Sequence, residues 1–213
     1  MRALVSAGAP VLASRLVEDA IHHADLIIAA NGGGSRLLQL GTTPHVLVGD
    51  MDSLTPSVRL QLQAAGTEFV QHPPIKDKTD SHLALALAFE RGADHVDMLG
   101  LFGGERLDHG IANSLLLAKE EFRGRSVRIL DGPNEARLCQ SRSVVTGNPG
   151  DYLTLIALTP RADGIRTEGL KYEVPGGHLT FGDSLGVSNE FVGPKASVSL
   201  DDGVLLIVVH HRS

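Results

Sequence analysis

From the start to about Asp131 the sequence alternates short β-rich runs with longer stretches whose apolar positions recur at helical spacing, and this alternation constrains the fold most. It is the signature of a parallel sheet covered by helices. The strand candidates are Ala3 to Ser6, Leu26 to Ala30, Val46 to Val48, Glu68 to Val70, His95 to Leu99 and Val127 to Leu130. Helical spacing covers Val11 to His23, Gly34 to Leu40, Pro56 to Ala65, Thr79 to Arg91 and Leu107 to Glu120. After Gly132 and Pro133 the rhythm changes to short β-like runs: Asp151 to Leu158, Gly164 to Leu170, Ala196 to Leu200 and Val204 to Val209. The expected fold is α/β, with an open, mostly parallel sheet and flanking helices over 1–132. An all-β domain, sandwich or barrel, is expected over 133–213.

At 213 residues, 42% hydrophobic, with a formal net charge of -6, the chain can bury a real core. No stretch approaches the roughly 20 apolar residues of a membrane-spanning helix, and the run Val204 to Val209 is strand-sized. The opening residues run from Met1 quickly into Gly8 and Pro10, unlike a secretory signal, so a soluble, cytoplasmic protein with no membrane partner is expected. Cys139 stands alone, which excludes an internal disulfide or a cysteine zinc site and agrees with a reducing compartment. The acidic balance, without a Lys and Arg cluster, argues against nucleic acid as a partner.

In an open α/β sheet, ligands bind beyond the carboxyl ends of the strands. After Ala30 come Asn31, Gly32, Gly33 and Gly34, a glycine turn opening a helix. Bare N–H groups and the helix dipole suit an anion there, and a tight turn without a ligand explains the glycines equally well. After Val48 come Gly49, Asp50, Met51, Asp52 and Ser53. Side chains two apart on an extended segment point the same way, so Asp50 and Asp52 can converge on one hard cation. Magnesium suits, because it takes a few carboxylates with water and substrate phosphates. The alternative is that Asp52 or Ser53 merely caps the helix near Thr55 and Pro56.

The segment Lys76, Asp77, Lys78, Thr79, Asp80 places two carboxylates and two cations at a helix start. Capping alone would explain it, and its position on the same sheet edge as Asp50 and Asp52 adds it to the candidate site. After Leu99, glycines lead into Arg106, Asp108 and His109. Arg106 can clamp phosphate oxygens and Asp108 can hold a polar acceptor or a protonated nitrogen; a solvent-facing Arg–Asp pair is the plainer reading. His109 reads as a structural partner. Glycine turns, carboxylates and cations at four strand ends describe phosphoryl transfer, which needs positioning and charge neutralisation more than a protein nucleophile. Neither a Gly-x-Ser-x-Gly elbow nor a Walker pattern is present.

Taken in order, Asn31 to Leu37, Gly49 to Ser53, Asp77 to Asp80, Gly104 to His109, Gly169 to Tyr172 and Ser188 to Phe191 resemble the thiamine pyrophosphokinase family over nearly the whole chain. The resemblance implies an α/β nucleotide-binding domain joined to a thiamine-binding β-sandwich. It implies a homodimer with thiamine bound between subunits, and transfer of the terminal diphosphate of ATP to the thiamine hydroxyl with release of AMP. Carried over by position, Asp50, Asp52 and Asp80 are the magnesium and phosphate-organising acids and Arg106 a phosphate clamp. Asp108 becomes a contact to the thiamine pyrimidine, and Ser188 and Asn189 the thiamine-side loop. Asp77, Lys78 and Thr79 join Asn31, Gly32 and Gly33 as the nucleotide-binding set, and Asp52, Asp80, Arg106 and Asp108 form the catalytic set.

The chain departs from the family pattern at Asn31, where an Asp is usual, and at Val187, where Thr is frequent. It also lacks any Trp, so Tyr172, Phe181 or Phe191 would have to supply an aromatic surface for thiamine. Two other readings remain open on the residues. One is diphosphate transfer to another ring alcohol, such as a pterin. The other is a nucleotide-binding regulator without catalysis, motivated by Asn31.

Overall fold

A computed structural model describes residues 1–212, which divide into two compact units, Met1–Gly132 and the chain from Pro133 onward. The first unit runs β1 (Arg2–Ser6), α1 (Arg15–His22), β2 (Leu26–Ala30), α2 (Gly33–Gln39), β3 (Val46–Gly49), α3 (Pro56–Ala64), β4 (Glu68–Gln71), α4 (Asp80–Glu90), β5 (His95–Leu99), α5 (Leu107–Leu115) and β6 (Ser126–Asp131). Its strands lie in the order β6-β5-β1-β2-β3-β4, every neighbouring pair parallel. β1, β2 and β3 are almost continuously apolar and buried, as strands covered on both faces must be. β4, at the edge, buries only Phe69 and Val70, and those in part.

The chain steps outward from β1 to β4, then returns to the far side of β1 for β5 and β6. That reversal leaves a crevice at the carboxyl ends of β1, β2 and β5, the usual ligand position in doubly wound sheets. Hydroxyl caps set where three helices begin: Ser14, Thr55 and Thr79 accept the backbone N–H groups of Val17, Val58 and His82. Leu4, Leu37, Leu47 and Leu62 are fully buried in the core under the crevice, each stabilising by about 1.5–3 kcal/mol.

Two helices differ from the sequence expectation. The helix expected from Val11 begins at Arg15, because Ser14 takes an extended backbone (φ -158°) as the cap and donates its hydroxyl to the Gly132 carbonyl at 2.7 Å. The helix expected to reach Glu120 stops at Leu115 and gives way to single 3₁₀ turns over Leu116–Ala118 and Glu120–Phe122. Lys119 is extended between them, which lets Leu116, Leu117 and Phe122 all face inward.

The second unit comprises β7 (Asn134–Cys139), β8 (Arg142–Thr146), β9 (Tyr152–Ala157), β10 (Arg161–Asp163), β11 (Arg166–Glu168), β12 (His178–Thr180), β13 (Asn189–Glu190), β14 (Lys195–Ser199) and β15 (Leu205–His210). Within it β13-β9-β15-β7 form one antiparallel array, β11-β14-β8 a second, and β10 pairs with β12. Strict alternation in β9 and β15 turns Leu153, Leu155, Ile207 and Val209 inward against Val145, Ala196 and Val198, which makes a sandwich. The run expected over Gly164 to Leu170 contains one short strand, β11, which pairs with β14; β10 just before it pairs with β12, so the chain changes sheet at Gly164 (φ +66°). Among the described residues no helix is long and apolar enough to cross a membrane.

Candidate active site

The carboxyl ends of β1 to β5 and the loops that follow them surround one cleft of about 940 Å³. Close backbone approaches build it. A Cβ on Gly33 would lie 1.9 Å from the Ser6 carbonyl oxygen, so only glycine lets α2 start against the end of β1. Gly49, at φ +144°, leaves room for Asn31 and Asp80, whose nearest side-chain carbons would sit 3.1 Å from a Cβ there. Asn31 (φ +45°) and Met51 (φ +69°) hold left-handed conformations that side chains disfavour, a cost found chiefly at functional sites. Met51 packs into the core, and Asp50 and Asp52 on either side of it line the cleft.

The Asn31 amide is the hub. Its Nδ2 donates to Asp50 Oδ1 at 2.9 Å, to Asp52 Oδ1 at 2.8 Å and, more weakly, to Asp80 Oδ2 at 3.4 Å. Ser53 Oγ donates to Asp52 Oδ1 at 2.9 Å. Asn31, then Ser53, hold the Asp52 carboxyl below its ordinary range. Thr55, not Asp52 or Ser53, caps α3, so the carboxylates are not helix caps. Lys76 Nζ lies 3.0 Å from Asp80 Oδ1 and 3.6 Å from Asp50 Oδ2. Burial of the ammonium works to lower its pKa, and Asp80 and Asp50 outweigh that effect and raise it.

Among the described residues no three His, Cys, Asp or Glu side chains form a ready metal cage. The donor set nevertheless fits magnesium, whose sites combine a few carboxylates with water and phosphate oxygens. Three carboxylates converge on one nitrogen within 3.4 Å. In addition, among the described residues Asn31 Oδ1 is a buried oxygen with no hydrogen-bond donor, and the buried Asp80 Oδ1 meets the charge of the Lys76 ammonium. Unfilled buried acceptors are what a hydrated cation satisfies.

The remaining sequence candidates divide into groups. Gly32, Asp77, Lys78 and Thr79 line the cleft. The N–H groups of Gly34 and Ser35 turn back onto the Asn31 and Gly32 carbonyls at 3.1 Å each, so the glycine turn spends those two donors on itself. Lys78 pairs with Glu121 at 3.1 Å, and Glu121 also meets the buried His82 at 2.8 Å; His82 first, then Lys78, keep the Glu121 carboxyl low. Thr79 caps α4 and donates to Asn113 Oδ1 at 2.9 Å. Arg106 lines the cleft and forks onto Asp108 at 2.9 and 2.6 Å, both side chains about two-thirds exposed. That guanidinium holds the Asp108 carboxyl at about 2, and Asp108 itself does not line the cleft.

Ser188 and Asn189 belong to the second unit. Ser188 takes φ +60° and donates its N–H to Thr154 Oγ1 at 3.0 Å. The Asn189 amide accepts from the Tyr172 and Glu190 N–H groups at 3.0 and 2.9 Å and donates to the Tyr172 carbonyl at 2.7 Å. Sequence reasoning gave no role to Asn113, and it set His109, which also lines the cleft, aside as a structural partner. Asn113 was detectable as a polar residue on the buried side of α5. Lys76 was legible as one of the two cations of its segment, four residues before Asp80, while its second partner, Asp50, is distant in sequence.

The family model for the thiamin pyrophosphokinase catalytic domain matches residues 17–129, and that for the thiamin pyrophosphokinase vitamin B1 binding domain matches residues 141–205. A thiamine pyrophosphokinase of Bacillus subtilis is 28% identical over 209 residues, covering 96% of each chain. The crystal structure of thiamine pyrophosphokinase from Bacillus subtilis aligns over 100% of both chains with a TM-score of 0.87 and 27% identity. A thiamin pyrophosphokinase family protein from Enterococcus faecalis aligns over 100% of both chains at 0.85 and 27%. With both domain models matched in the order of the two compact units, the chain belongs to the thiamin pyrophosphokinase family.

Proposed function

We propose that this protein transfers the β,γ-diphosphate of ATP to the hydroxyl of thiamine, yielding thiamine diphosphate and AMP. Family membership supports the reaction, and the convergence of Asp50, Asp52 and Asp80 on Asn31 beyond the carboxyl ends of β2, β3 and β4 carries it. In this reading the turn Asn31, Gly32 and Gly33 receives the nucleotide together with Asp77, Lys78 and Thr79. Asp50, Asp52 and Asp80 would hold magnesium, which when bound neutralises charge on the transferring phosphates. Arg106 exchanges its exposed pair with Asp108, which costs little, for phosphate oxygens.

The acceptor hydroxyl attacks the β-phosphorus in line, and the bond from that phosphorus to the bridging oxygen of AMP breaks. Asp80, which lines the cleft, or Asp108, once Arg106 has turned from it to phosphate, takes the departing proton. A loose transition state asks little of such a base. Asp108 then serves the thiamine pyrimidine, and Ser188 and Asn189 the thiamine side. A homodimer suits the apolar stripe Leu107, Ile111 and Leu115, exposed at four-residue spacing on α5. A cytoplasmic location suits the free, buried Cys139.

The test is AMP formation from ATP and Mg²⁺ with and without thiamine, read by chromatography. AMP and thiamine diphosphate appearing together are expected. ATP binding without turnover would point instead to a nucleotide-binding regulator. Turnover on a pterin alcohol but not on thiamine would move the acceptor.

A further inference from the structure

The carboxylate cluster already contains a cation. Lys76, in the loop between β4 and α4, is only 15% exposed at its side chain, and its ammonium meets Asp80 Oδ1 and Asp50 Oδ2. It also donates to the Pro73 carbonyl at 3.1 Å, which holds it from the loop side. The other oxygen of each carboxylate turns to Asn31: Asp50 Oδ1 at 2.9 Å and Asp80 Oδ2 at 3.4 Å. Asn31, Asp50, Lys76 and Asp80 therefore close a ring, with Asp52 joined to it through Asn31. Three carboxylates against one ammonium leave two formal negative charges, the charge of one divalent ion. Lysine is seldom this buried unless paired, and here its partners are two of the groups that a metal would need. Two cations crowded onto the same oxygens repel strongly in a half-buried site, so one must give way.

We infer that Lys76 is a positioning residue whose ammonium holds Asp50 and Asp80 in register in the nucleotide-free protein and is displaced when a divalent cation enters. The inference rests on the proposed magnesium site at these carboxylates. It makes Lys76 a competitor of the metal, so removing its charge strengthens metal binding while loosening the empty cleft.

The experiment is calorimetric titration of Mn²⁺ and Mg²⁺ into the nucleotide-free full chain, for wild type, Lys76→Met, Lys76→Gln and Lys76→Arg, with melting curves in chelator and in metal. Lys76→Met, or Lys76→Gln should the first fail to fold, is expected to bind the ion about tenfold or more tightly, the scale of one nearby charge removed in a largely aqueous dielectric. Lys76→Arg stays close to wild type. The neutral variants melt lower than wild type in chelator and gain more from added metal. Unchanged or weaker metal affinity in a folded neutral variant overturns the inference, as does a lower melting point without tighter binding, the mark of a simple loop anchor. Should neither wild type nor variants bind metal even with ATP present, the magnesium site itself fails and the inference falls with it. Metal binding that is equal in wild type and neutral variants removes only the role of Lys76.

Discussion

The motif residues of the two units use their polar groups in opposite ways. In the first unit they converge on an open cleft: three carboxylates share one amide, two residues hold left-handed backbones, and the buried Asn31 Oδ1 lacks a donor. In the second unit Gly169 to Tyr172 and Ser188 to Phe191 satisfy each other. The Val192 N–H donates to the Gly169 carbonyl at 3.0 Å, the Lys171 N–H to the Glu190 carbonyl at 2.9 Å, and the Asn189 amide clasps both backbone groups of Tyr172. Crowded like charges and unfilled acceptors cost stability and are kept for a ligand; a closed clasp stabilises the protein and leaves little to offer one. A polar residue in a motif is therefore informative about binding only after its hydrogen bonds have been counted. For Asn189 the count points to holding Tyr172, whose ring is exposed, more than to touching a ligand directly.

The largest expected effect breaks the open cleft. Asp52→Ala should cut AMP formation by about 10³-fold or more, since the site depends on placed charge. Its melting temperature should stay near that of wild type, because Asp52 is exposed and surrounded by other acids. Activity within tenfold of wild type would remove Asp52 from the mechanism. Next comes Gly33→Ala, whose methyl group meets a backbone oxygen that cannot yield. Overpacking of this kind should cost roughly 2–3 kcal/mol and lower the melting temperature by roughly 5–10 °C. A variant as stable as wild type would mean that α2 can shift away from β1.

These two sites were readable in the sequence for a local reason. Gly33 lies three residues past an apolar strand run, and Asp50 and Asp52 flank a single residue, so chain adjacency alone suggests their convergence. The bounds of β2 were legible for the same reason, as an unbroken apolar run ended by Asn31, and β5 was legible as a short run ended by Gly100 despite Asp97 within it. What was hidden depends on contacts made only after folding. Lys76 meets Asp50 because β4 lies beside β3, and Thr79 meets Asn113 because the start of α4 lies against the later part of α5. β7 and β8 carry Glu135, Arg137, Arg142 and Ser143 among their apolar residues, which blurred the strand signal, and β13 is two residues long. Nothing local to Ser188 and Asn189 announces that the amide is already spent on Tyr172.

The third prediction sharpens the other half of the comparison. Asn189→Ala removes hydrogen bonds to the Tyr172 and Glu190 backbones and should cost about 1–2 kcal/mol, a fall of a few degrees in melting temperature. Asn189→Asp keeps the acceptor and loses only the donor to the Tyr172 carbonyl, so about half of the stability should return. In steady-state assays the thiamine KM should rise more than kcat falls, because the loop loosens while the carboxylate cleft is untouched. A large loss of kcat with unchanged melting would make Asn189 a direct participant and reverse the contrast drawn between the units.

The smallest effect tests whether the clasp needs its charges. Lys171 Nζ pairs with Glu190 Oε2 at 3.0 Å across the same two segments, with the side chains 47% and 32% exposed. Glu190 comes first among the groups that raise the Lys171 pKa, so whatever the pair adds is present at neutral pH. It is lost only as pH rises through the raised value, above the ordinary lysine range. Water and salt screen an exposed pair of this kind, and the backbone ladder beside it carries the connection without help. Lys171→Ala should therefore move the melting temperature by about 1 °C or less at neutral pH, and by less still in high salt. A drop as large as that of Asn189→Ala, erased by salt, would show that charge rather than the amide closes the second unit. The two halves of the molecule would then differ in where their charges sit and not in how they use them.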